Sequence, residues 1–142
     1  MILLDTNVIA ALMRDRPEEP VVRWLDRQPR TSIWTTSISV YETRFGLQIM
    51  PEGRRRSAMM ALFERLLETA IQGRVATFDH TAAQHAADLA AERHWRGRLT
   101  GDRDTMIASI VLANHATLAT RNVRHFEELA GAVVNPWGEG KE

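Results

Sequence analysis

The chain has 142 residues, 18 basic against 18 acidic side chains, a formal net charge of zero and no Cys. Disulfides and thiolate metal sites are thereby excluded, any metal must be held by oxygen or imidazole, and long-range attraction for nucleic acid is not a property of the chain as a whole. Every basic residue but Lys141 is Arg, which also excludes an internal catalytic lysine.

A chain of this length is expected to form one domain, residues 1–142, with 138–142 as a frayed tail. No apolar run approaches the ~20 residues that cross a bilayer, and the start has no basic flank, so a soluble, cytoplasmic protein with no membrane partner is expected. Ile2-Leu3-Leu4 is too short for a helix and has no polar alternation, which predicts a strand buried on both faces at the centre of a parallel sheet. Asp5-Thr6-Asn7 then leads into apolar residues at Val8, Ile9 and Leu12, a strand running out at its carboxyl end into a helix start. Asp5 either caps that helix or belongs to a site, since ligands bind at this edge of open α/β sheets.

Residues 14–20 form a charged, proline-punctuated loop, and Val21 to Leu25 begins a short amphipathic helix that Pro29 ends. Thr31 to Thr36 is β-branched and aromatic and predicts the second strand. Ser37 is placed to cap a helix whose Ile38, Tyr41, Phe45 and Ile49 share one stripe, with Glu42 at the stripe's edge. A second helix follows from Arg54-Arg55-Arg56 through Leu67 with no strand between, which predicts a hairpin projecting from the sheet and a solvated charge run. Val75 to Phe78 reads as the third strand, and Asp79 or Thr81 caps the Ala-rich helix that runs to about Trp95. His80, His85 and His94 share no metal-binding register.

After the loop at 96–101 comes Asp102-Arg103-Asp104, opening a helix to about His115. Asp102 is placed to cap it. Asp104 shares a face with Ile107, Ala108 and Val111, so this acid stands on the buried side of its own helix. Residues 116–120 predict a fourth strand, Arg121 to Phe126 a turn into a short helix with Asn122 as a candidate cap, and residues 132–134 a fifth strand. Strands separated by helices throughout predict an α/β fold with a mostly parallel five-stranded sheet flanked by helices.

Asp5 and Asn122 follow strands, while Glu42 and Asp104 project from early helical turns, so all four can converge at one sheet edge. Three carboxylates brought together would each be driven to protonate unless a cation sat among them. A hard divalent ion with oxygen ligands, Mg²⁺ or Mn²⁺, answers that need, and such an ion suits phosphodiester hydrolysis.

Leu4-Asp5-Thr6-Asn7-Val8-Ile9, Ser39-Val40-Tyr41-Glu42, Asp104-Thr105-Met106-Ile107-Ala108, Ala119-Thr120-Arg121-Asn122 and Val134-Asn135-Pro136-Trp137, in this order and spacing, resemble a PIN domain, and among PIN domains the VapC-type toxins with their FitB-like members. The resemblance spans essentially the whole chain. It implies a metal-dependent endoribonuclease, a homodimer, an RNA substrate with transfer RNA among the family's targets, and neutralisation by a small VapB-like antitoxin whose tail lies across the active site. Carried over residue by residue, it makes Asp5 and Asp104 metal ligands, and Glu42 the third acid, bound directly or through water. Asn7 and Thr120 become polar supports behind the ligands. The family's fourth acidic position falls at Asn122, which departs from the pattern and disfavours a two-metal arrangement; Asp102 is the candidate to supply the missing charge. Arg121, with Arg98 and Arg103 behind it, is the candidate for flanking phosphates. The resemblance also implies products with 5′-phosphate and 3′-hydroxyl ends.

Rival readings fit the residues less well. A haloacid-dehalogenase-like phosphatase wants an Asp where Asn7 stands and a distant Lys, and a dinucleotide-binding domain wants a glycine-rich turn where Asp5-Thr6-Asn7 stands. The remaining alternative is a catalytically weak PIN domain that binds RNA or protein.

Overall fold

The computed structural model describes residues 1–98 and 101–138. Five strands, β1 (Ile2–Leu4), β2 (Ile33–Thr36), β3 (Val75–Ala76), β4 (Thr117–Ala119) and β5 (Val133–Val134), form one sheet in the order β3-β2-β1-β4-β5. All four pairings are parallel. The apolar run at the start of the chain takes the central position that its composition predicts. Leu3 and Leu4 are both fully buried yet belong to different cores, because successive side chains of a strand leave opposite faces. Leu3 and Leu118 pack with Ile107, Ile110, Val111 and Phe126 on one side; Leu4 and Ala119 pack with Val8, Ile9, Val21 and Phe63 on the other.

The helices are α1 (Thr6–Leu12), α2 (Glu19–Asp26), α3 (Ser37–Gln48), α4 (Arg54–Leu66), α5 (His80–Trp95) and α6 (Asp102–Asn114). A five-residue π-helical turn, Leu67–Ile71, prolongs α4, and a 3-10 segment, Val123–Leu129, follows β4. The hairpin of α3 and α4 has no strand between its helices and is anchored to the sheet by the buried Phe63. From β1 the chain builds outward to β2 and β3, then returns through α5 and α6 to add β4 and β5 on the other side. The β1/β4 pair is therefore the topological switch point, the edge at which open α/β sheets place their ligand sites.

Three local expectations are corrected. Thr36, not Ser37, caps α3: its hydroxyl accepts from the Ser39 amide at 3.0 Å, while the Ser37 hydroxyl accepts from the Phe78 amide. The stripe of Tyr41, Phe45 and Ile49 faces outward, at 52%, 46% and 67% exposure, and the inward face of α3 runs through Ser39 and Leu47. The more apolar stripe of the helix is therefore not the one the fold buries. Asp102 does not cap α6; Gly101 stands at the cap position without a side-chain bond, and Asp102 is already the first helical residue. Asp79 caps α5, accepting from the Ala82 amide at 2.9 Å. Part of the loop predicted at 96–101, and all but the first residue of the predicted tail, lie outside the described residues. Among the described residues no helix is long and apolar enough to cross a membrane.

Candidate active site

Asp5 emerges from β1 as the cap of α1, so the sequence's two readings of it are compatible. Its Oδ1 accepts from the Thr6 amide at 2.8 Å and its Oδ2 from the Thr120 hydroxyl at 2.7 Å. Thr120 lies just past β4, the strand beside β1, and the Asp5 amide itself donates to the Ala119 carbonyl at 2.9 Å, continuing the ladder. The Thr120 hydroxyl, fully buried, also accepts from Asn7 Nδ2 at 3.3 Å and from the Asn122 amide at 3.0 Å. Asn7 closes the ring by accepting the Arg121 amide on its Oδ1 at 3.2 Å. One hydroxyl thus joins the ends of the two central strands and holds the Asp5 carboxylate.

Asp5 is only 6% exposed, and its pKa is pushed up from the ordinary 3.8 to about 6. Burial is the largest cause; the charges of Asp104 and Glu42 add to it, and the bonds from Thr120 and Thr6 oppose it. The other two carboxylates therefore act on Asp5 electrostatically. The stronger effect at Asp5, however, is loss of water rather than mutual repulsion.

Glu42, in the second turn of α3, reaches toward α1, where its Oε1 accepts from the Thr6 hydroxyl at 2.7 Å. Arg103 of α6 pairs with its other oxygen at 3.6 Å while lying over the rings of Tyr41 and Phe45, 5.3 and 5.9 Å from their centroids. Asp104, one residue on, stands above buried Ile107, Ala108 and Val111, and its Oδ2 meets His125 Nδ1 at 3.0 Å. Asp102 is two residues from Asp104, about 200° around the helix, and is exposed on the other side; the structure does not bring it to the cluster. Asn122 joins through its backbone amide, with its residue exposed and its side chain not used as a cap.

The candidate arginines differ. Arg98 pairs with Glu127 at 3.2 Å and Arg103 is engaged by Glu42 and the two rings, whereas Arg121 lies beside the cluster with its guanidinium 4.8 Å above the Trp137 ring. Trp137 is itself fixed by its indole N–H, which donates to Glu18 at 3.1 Å.

Two contributors escape sequence reasoning. Thr6 holds Glu42, a pairing across 36 residues that no local pattern signals. His125 lies three residues after Asn122 in a 3-10 segment, where residues three apart stand above one another, and an Asn-x-x-His spacing after a strand is the signal that could have singled it out.

As they stand, no three His, Asp or Glu side chains among the described residues are close enough to share one ion. The donor set nevertheless fits a hard divalent cation: oxygen ligands only, one of them a carboxylate whose burial and neighbouring charges make its ionisation costly without a counter-charge. Asp5, Asp104 and Glu42 are the residues that would hold it.

A family model described as the PIN domain matches residues 2–132. The chain is 38% identical to a protein named VapC ribonuclease Y4jK from Sinorhizobium fredii over 137 residues, covering 96% of this chain and 98% of that one. It is 32% identical to Toxin FitB from Neisseria gonorrhoeae, covering 96% and 99%. The crystal structure of FitAcB from Neisseria gonorrhoeae superposes with a TM-score of 0.85 at 32% identity, over 96% of this chain and 99% of that one.

Proposed function

Because the chain belongs to the PIN domain family, we propose that it is a divalent-metal-dependent endoribonuclease, cytoplasmic, and the toxin of a toxin-antitoxin pair. The observation that carries this reading is the buried Asp5 carboxylate at the switch point of the sheet, held by Thr120 and within electrostatic reach of Glu42 and Asp104. Relatives named as a ribonuclease and as a toxin over nearly their whole lengths support it.

Asp5 and Asp104 are the proposed ligands of Mg²⁺ or Mn²⁺, with Glu42 as the third acid. When bound there, such an ion would lower the pKa of a coordinated water and neutralise charge developing on a scissile phosphate. Thr120 and the Thr6 amide keep both Asp5 oxygens turned to fixed donors, and the Thr6 hydroxyl holds Glu42 at a set distance from α1. Asn7 orients Thr120. Glu42 or Asp104 accepts the proton of the attacking water, and no side chain acts as a covalent nucleophile. Arg121, flat on Trp137, is the residue we assign to a flanking phosphate. Asn122 adds no charge, so the site is proposed to work with one firmly held ion.

The exposed stripe of Tyr41, Phe45 and Ile49 supports a homodimer, in which a second copy would cover two turns of apolar surface on α3. A VapB-like antitoxin is the proposed protein partner and RNA, transfer RNA included, the substrate. The test is cleavage of transfer RNA and other structured RNAs by the parent and by Asp5→Ala, with Mg²⁺ or Mn²⁺ and with chelator. The parent with metal should release fragments bearing 5′-phosphate and 3′-hydroxyl ends, and the variant should not. RNA bound but left intact by the parent would replace this reading with that of a binding module; equal cleavage by parent and variant would remove Asp5 from the chemistry.

A further inference from the structure

We propose that His125 is a positioning residue of the metal site, holding the Asp104 carboxylate by a hydrogen bond from Nδ1. This rests on the metal-site reading above. Each acid of the cluster has one oxygen fixed by a donor from another segment: Asp5 by Thr120, Glu42 by Thr6, and Asp104 by His125 at 3.0 Å. An ionised carboxylate only accepts, so the hydrogen of this bond sits on Nδ1, and a neutral imidazole is sufficient to supply it. With Oδ2 so held, Oδ1 of Asp104 is the oxygen presented to a cation, which is how partners behind a ligand orient it.

The contact is set by the fold on both sides. The 3-10 segment carrying His125 is pinned by buried Phe126 and Leu129, and by the His125 amide donating to the Asn122 carbonyl at 3.0 Å. Arg93, 4% exposed in α5, then brackets the pair: its guanidinium bonds Glu128, three residues past His125, and the hydroxyl of Thr105, the residue after Asp104. A buried side chain of a third element therefore fixes the two backbones that carry the imidazole and the carboxylate. Asp104 needs such a partner, since its side chain is 30% exposed in a first helical turn with no capping side chain beside it.

The test is a titration of the full chain with Mn²⁺, read by the electron paramagnetic resonance of the free ion, on the parent, His125→Ala, His125→Asn and Asp104→Asn. Asn puts an amide N–H at the same distance along the side chain as Nδ1. His125→Ala should bind Mn²⁺ about 10-fold more weakly, His125→Asn should stay near the parent, and Asp104→Asn should lose the site. Melting in chelator should leave His125→Ala close to the parent, which separates positioning from stability. Binding by His125→Ala equal to the parent's would overturn the assignment, and so would an Asn variant as weak as Ala, because the ring and not the donated hydrogen would then matter. A parent that takes up no Mn²⁺ sinks the metal site itself, an outcome distinct from either.

Discussion

The Asp5 carboxylate makes the sharpest prediction. Held at about 6 against an ordinary 3.8, it binds its proton more tightly in the folded than in the unfolded chain, so folding loses stability as pH rises between those values. At about 1.4 kcal/mol per pH unit the loss totals about 3 kcal/mol by neutral pH, of which about half falls between pH 5 and 7.5. The group is 6% exposed, so solvent screening removes little of this. Asp5→Asn abolishes the charge but leaves one acceptor oxygen where Thr6 and Thr120 both donate, a cost of about 1 kcal/mol. In chelator at pH 7.5 the variant should therefore be the more stable by about 2 kcal/mol, and its advantage should shrink as pH falls toward 4. Urea unfolding of both proteins across that range measures it. Subtracting the two curves cancels the histidines and also Glu128, whose burial would raise its pKa but whose bonds from Arg93 and its own amide hold it below the ordinary 4.5. A difference that stays flat with pH, or a variant less stable at pH 7.5, would refute the claim that ionised Asp5 is costly in the metal-free fold.

Thr120→Val removes the hydroxyl shared by Asp5, Asn7 and the Asn122 amide; a loss of about 2 kcal/mol in chelator is expected, chiefly from the buried Asp5 oxygen left without its donor, measured by urea unfolding. Arg93→Ala leaves the half-buried Glu128 carboxylate without its ion-pair partner and should cost about 2–3 kcal/mol, seen in the same assay. His115 ends α6 with φ at 50°, a left-handed conformation unfavourable for a residue with a Cβ, so His115→Gly should raise stability by up to about 1 kcal/mol. Phe45→Glu, on the outward stripe of α3, should convert the proposed homodimer to monomer in sedimentation velocity while leaving the far-ultraviolet circular dichroism of the fold unchanged.

Much of the architecture was legible because it follows from short-range rules. Leu3 and Leu4 sit side by side in sequence and on opposite faces in space, which only a doubly covered central strand allows, and the alternation of strands with helices left few parallel topologies open. Asp104 over Ile107, Ala108 and Val111 was likewise visible as an acid on a buried face. The rotation of α3 was not: the helix carries one stripe through Ser39 and Leu47 and another through Tyr41, Phe45 and Ile49. Periodicity favours the more apolar of the two, whereas the fold buries the other, a choice set by tertiary contacts that the helix's own sequence does not carry. The cap of α6 was misplaced for a similar reason, since an Asp suits the cap position and the first turn equally well. His125 depends on Arg93 spanning Glu128 and Thr105, a tertiary bracket with no local trace. The departure at Asn122 was readable as a missing charge, whereas the imidazole three residues on had only its spacing from Asn122 to mark it, and that spacing does not name Asp104 as its partner.

The Thr120 hydroxyl spans the seam between the two central strands, and core strands are the elements whose local opening costs most. Partial fraying of a loop or terminus consequently leaves the grip on Asp5 intact. Moving the Asp5 carboxylate off its donor therefore means parting β1 from β4, the central pair of the sheet, rather than shifting a single surface loop.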